Sequence, residues 1–207
     1  TMFDSVGIAK RELGLYNPAA AAYFSDVPSD LKAGEFMVVS LVAEQSKTPM
    51  LDLLAEYNGR VAWTQSFEEM TQSGLTMMEH CWNHATLHAL KHDKSFTNLQ
   101  TNYDAENVLQ QLADLKAETG DEVEIHLEYI RLANGQLLIT GLPLVRYSSA
   151  ERLQEIMDIH EKLGIKINNS HVYTLEDGKH GGSLSDEIKA SIKAYDPHRL
   201  LNRGKVR

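Results

Sequence analysis

The stretch VEIHLEYIRLANGQLLITGLPLV, residues Val123 to Val145, decides the fold. Its opening alternates with a period of two. Val123, Ile125, Leu127 and Tyr129 face one way, while Glu124, His126 and Glu128 face the other, as successive side chains of a strand must. Asn134-Gly135 is the strongest short-range hairpin signal, because both residues tolerate the left-handed backbone of a tight turn. It joins this strand to QLLITGLPLV. Upstream, SFTNLQTNY reads as a strand, and Asp104 caps a helix with an apolar stripe of Val108, Leu109, Leu112 and Leu115 that ends at Gly120. Downstream, Ser148 or Ser149 caps ERLQEIMDIHEKL, with Leu153, Ile156, Met157 and Leu163 on one face and Gly164 after it. The order strand, helix, strand, strand, helix, strand is the split ferredoxin-like unit.

The first half follows a similar grammar. GIAKRELGLYNPAAAAYF reads as a short strand, a break at Asn17-Pro18 and a small alanine-rich helix. A loop, SDVPSDLKAG, precedes EFMVVSLVAEQ, whose continuous apolar run predicts a well-buried strand. Thr48 is expected to cap a helix with Pro49 in its first position, running to a C-terminal glycine at Gly59. RVAWTQSF is expected to return as a strand. The whole chain is expected to be α+β, with duplicated ferredoxin-like units and an antiparallel sheet covered by helices.

A chain of 207 residues can bury a substantial core, and its 43% hydrophobic and 24% charged content is ordinary for a globular protein. The net charge of −9 works against a nucleic-acid partner, which demands a clustered positive field. No apolar run is long enough for a membrane span. A single cysteine, Cys81, excludes an internal disulfide and fits a reducing, cytoplasmic setting.

EHCWNHATLHALKHD, Glu79 to Asp93, places His80, His84, His88 and His92 at four-residue steps. On one continuous helix from Glu69 to Lys91 these would share a face, but His80 and His92 would stand roughly 18 Å apart, too far to share one ion. Only a neighbouring pair such as His84 and His88 could chelate together, and it would need a third ligand from elsewhere. The H-E-x-x-H arrangement of zinc proteases is absent. Cys81 reads as a buried, inert thiol, since adjacent residues on a helix point in different directions.

Three segments carry a family likeness. WNHATLHALKHDKSFTNLQTNY (Trp82 to Tyr103) resembles a block of the FAD-linked oxidases of the vanillyl-alcohol oxidase and para-cresol methylhydroxylase superfamily. NNSHVYTLEDGKHGG (Asn168 to Gly182) resembles their PHxYxLEDGG stretch, and AYDPHRLLNRGKV (Ala194 to Val206) resembles their terminal DPxGLLNPGK signature. The resemblance spans nearly all of residues 1–207. It implies the C-terminal substrate, or cap, domain of a flavoenzyme whose FAD-binding domain, with its glycine-rich pyrophosphate loop, has no counterpart here and would act in cis or in trans.

On that likeness the protein would take part in hydride transfer from a small alcohol or hydroxy acid to flavin, inactive without the FAD domain. Tyr173, His171 and His84 would be catalytic. Asn83, Thr86, His88 and Glu176 would bind substrate, and Asn202 would lie beside the isoalloxazine. A tyrosine and a histidine there can take or hold a proton as hydride leaves. The signature has glycine where Arg199 stands and proline where Arg203 stands. The HxGDGNxH motif of the metal-dependent D-2-hydroxy-acid branch is missing, so no metal is expected. Two alternatives stand beside this expectation: a non-catalytic ferredoxin-like module that binds small ligands, and a histidine-based metal site.

Overall fold

The structure, a computed structural model, describes residues 7–24, 30–82, 84–177, 184–201 and 203–206. It is α+β, with a six-stranded and a three-stranded sheet, every strand pair antiparallel, and helices laid over them. The strands are β1 (Lys10–Tyr16), β2 (Met37–Val42), β3 (Phe96–Asn98), β4 (Gln100–Tyr103), β5 (Val123–Glu124), β6 (His126–Arg131), β7 (Leu137–Gly141), β8 (Leu144–Arg146) and β9 (Lys166–Asn168). The helices are α1 (Pro18–Ala21), α2 (Lys47–Glu56), α3 (Phe67–Ser73), α4 (His84–His92), α5 (Val108–Thr119), α6 (Ala150–Lys162) and α7 (Asp186–Tyr195).

The large sheet has the order β2-β1-β6-β7-β4-β9. Four of its strands, β4, β6, β7 and β9, with α5 and α6 as crossovers, reproduce the split ferredoxin-like unit read from the sequence. The β6–β7 hairpin turns at Gly135, whose φ of +84° only glycine adopts without strain. Ser149 caps α6 by accepting from the Arg152 N–H at 3.1 Å. Leu115 and Ile156 from the two helices pack with Leu127, Ile139 and Ile167 of the sheet into one apolar cluster.

Each of the three central strands bends, and this was not visible as a break in pattern. SFTNLQTNY divides at the fully buried Leu99, VEIHLEYI at Ile125, and QLLITGLPLV at Leu142-Pro143. Past the bend the same three neighbours pair again as the small sheet, in the order β3-β8-β5. Proline lacks the N–H a ladder requires, which helps explain the break at Pro143. Gly141 sits at this corner. A Cβ there would collide with Thr101 Oγ1 and stand 2.9 Å from Tyr103 Cε2.

Several local expectations are corrected. RVAWTQSF forms no strand; Ser66 instead opens α3 through a reciprocal capping box with Glu69. The apolar run of β2 is an edge strand with only Val39 buried. Helix α2 begins at Lys47 with Ser46 at its cap, so Pro49 falls in the first turn, where its missing N–H has no intrahelical partner to lose. At its end Asn58 takes the left-handed conformation rather than Gly59. Leu109 turns outward, 81% exposed, leaving Val108, Leu112 and Leu115 as the packed stripe of α5.

Two outcomes follow from this packing. Gly141→Ala is expected to destabilise the protein by about 1–3 kcal/mol through overpacking at the bend, read as a lower urea midpoint. His160 is buried on α6, and burial lowers its pKa below 6.5, so the unfolded chain binds the additional proton. Stability should therefore fall as pH drops below 6.5, and His160→Leu should make that acid-side slope shallower in urea titrations.

Candidate functional site

The sheet face opposite α5 and α6 carries the polar residues. Register aligns Gly14 with Glu128, Glu128 with Thr140, and Thr140 with Asn102, so these share one row of that face; Tyr16 and His126 share the next. Glu128 is 1% exposed. A carboxylate that deep must be hydrogen-bonded or paired, and it is: Glu128 Oε1 lies 2.6 Å from His126 Nε2 and accepts the Trp82 backbone N–H at 2.9 Å. Gly14 leaves the room, since a Cβ there would come 3.2 Å from Glu128 Oε2.

The neighbours extend this polar core. The Tyr16 ring stacks on His126 with centroids 4.3 Å apart, and its hydroxyl donates to the His80 carbonyl. Burial, and then the Glu128 charge, push the Tyr16 hydroxyl far above its ordinary pKa. Asn17 caps α1 with its side-chain oxygen and donates its Nδ2 to Glu124 at 2.8 Å. Cys81, 1% exposed, has its thiol pushed up to about 12 by burial and by Glu128 and Glu12, so it is no nucleophile at neutral pH.

The histidine run does not form one helix. Gly74 closes α3 in the left-handed conformation, Met77–His80 is a single 3-10 turn, and α4 starts only at His84. Between them Trp82 has a φ of +53°, a strained value for so bulky a residue, held by the Glu128 contact and by its indole N–H donating to Glu12 at 3.3 Å. His80 and His88 face each other as stacked rings 5.1 Å apart, against Phe24. His88 Nε2 lies 3.0 Å from the Glu79 carbonyl, and His84 Nδ1 lies 3.3 Å from the Glu79 carboxylate. Thr86 is buried beside them. Among the described residues no three His, Cys, Asp or Glu side chains converge as a metal site requires. Asn83 lies outside the described residues.

The second segment meets the first, and the third meets the second. His171 Nε2 lies 3.1 Å from Asn98 Oδ1, a contact across 73 positions of sequence. Tyr173 is 67% exposed, with Lys205 Nζ 3.6 Å above its ring. The Leu175 N–H donates to the Lys205 carbonyl at 2.8 Å, which ties the tail to this stretch. Glu176 is buried, 8% exposed, and lines a cleft against α7. Asp196 orders the tail by accepting from the Leu200 and Leu201 N–H groups at 2.8 and 2.9 Å. Asn202 lies outside the described residues. Among the described residues no hydrogen bond or ion pair joins His84 to His171 or Tyr173.

Sequence reasoning missed Tyr16, Glu128, Trp82 and Asn98. One signal was available: Glu124, His126 and Glu128 alternate along the strand and so share a polar face. Compared with models of known protein families and with curated proteins, the chain gives no match.

Glu128→Ala should cost about 3–5 kcal/mol, because it strands the partners of a buried charge, whereas Glu128→Gln, which still accepts from Trp82, should cost less. Chemical denaturation of both variants checks the order. Native protein should leave Cys81 unmodified by a thiol reagent at neutral pH, and unfolding should expose one equivalent.

Proposed function

We propose that this chain is the substrate-binding, cap-type domain of an FAD-dependent oxidoreductase that passes hydride from a small alcohol or hydroxy acid to flavin. One observation carries the reading. The three segments that resemble the FAD-linked oxidases lie far apart in sequence, yet the Asn98–His171 and Leu175–Lys205 contacts link the first to the second and the second to the third. Arg199 adds support: it stands where the signature has glycine, and its φ of +52° is the conformation glycine serves best.

The fit to flavin is one-sided. The sequence holds no glycine-rich pyrophosphate loop, so the cofactor's phosphates would be held by another domain. Bound flavin would supply the hydride acceptor. This chain's residues would bind and orient the substrate: the exposed Tyr173 and His171, with His84 from α4, where Thr86 and His88 are buried behind it. His171, already hydrogen-bonded to Asn98, is oriented to hold a proton as the substrate hydroxyl loses one. The partners are a small-molecule substrate and an FAD-bearing domain. Among the described residues no helix is long and apolar enough to cross a membrane.

Two outcomes test the reading. Purified alone and mixed with FAD, the chain should emerge from gel filtration without flavin absorbance and should oxidise no alcohol. Titrating a panel of small alcohols and 2-hydroxy acids into labelled protein should shift backbone amide resonances of residues 84–98 and 171–176, and His171→Ala should weaken binding about tenfold. Shifts confined to other surfaces, or none with any compound, sink the proposal.

A further inference from the structure

The cleft between α7 and the tail is lined by basic side chains. It encloses about 590 Å³, within the range of small-molecule sites, and Leu184, Ile192 and Val206 supply its apolar wall. Lys189, Lys193 and Arg199 also line it. Three cations thus line one cleft of a chain whose net charge is −9. Lys189 is spent in part on Asp186, 3.4 Å away, but Lys193 and Arg199 make no ion pair among the described residues. Two carboxylates line the cleft as well. Asp196 is committed to the backbone N–H groups of Leu200 and Leu201, and Glu176 is buried.

Arg199 is the telling residue. It takes a φ of +52° in a turn that Asp196 holds through the Leu200 and Leu201 N–H groups. Its guanidinium lines the cleft and makes no ion pair among the described residues, so its planar donors, which suit phosphate, are placed for an anion from outside. We propose that this cleft binds an organic phosphate, with Arg199 and Lys193 on the phosphate and the apolar wall against the organic part. The site consists of this chain's own residues and does not depend on the flavin reading.

The test uses Arg199→Gly, which separates folding from binding because the two readouts should move in opposite directions. Calorimetric titration at low salt should show ADP binding to the native chain more tightly than inorganic phosphate, and adenosine not at all. Arg199→Gly should raise the thermal unfolding midpoint by relieving strain, yet weaken ADP binding about tenfold, and Lys193→Gln should weaken it comparably. Equal ADP affinity in Arg199→Gly and the native chain, or no binding of millimolar ADP to the native chain, overturns the proposal.

Discussion

The buried carboxylate of Glu128 is the constraint around which one whole face of the protein is arranged. Desolvating a carboxylate costs several kcal/mol unless partners replace its water. Here the partners come from places far apart in the chain: His126 from the same strand and the Trp82 N–H from the turn before α4. Gly14 on β1 leaves room that a Cβ, 3.2 Å from Glu128 Oε2, would tighten, and Tyr16 closes over His126. Satisfying one charge thus binds β1, β6 and the 3-10 turn into a single unit. It also imposes the unusual backbone of Trp82, because the N–H must point into the sheet while the indole reaches Glu12.

The bend shared by the three central strands is the second organising feature. It lets the same neighbours pair twice, once in each sheet, and it brings Asn98, at the end of β3, close to the segment that follows β9. The family-like segments meet because the strands turn there. Without the corner at Gly141 and Pro143, a straight sheet would carry Asn98 away from His171.

The histidine run shows how local pattern and tertiary setting part company. Its four-residue spacing suited a continuous helix, yet Gly74 and the strained Trp82 split it, and each histidine answers to a different neighbour. His88 and His84 are both oriented by Glu79, one by its carbonyl and one by its carboxylate. His80 is buried against Phe24. In the tail, Arg199 places a charged side chain in a conformation better suited to glycine.

Much of the architecture was legible in the sequence. The alternation of Val123 to Tyr129, the turn at Asn134-Gly135, the break at Asn17-Pro18 and a serine cap at Ser148 or Ser149 act over a few residues, through sterics and local hydrogen bonds, and they specify the split ferredoxin-like unit and α1. The candidate site was legible only as three separate segments. That both sides of β6 would be buried, where the central strands would bend, and that RVAWTQSF would yield to the Ser66–Glu69 capping box were decided by tertiary structure. These outcomes depend on what packs against each residue, and the energies of burial, charge pairing and shape exclusion arise between groups that are distant in the chain.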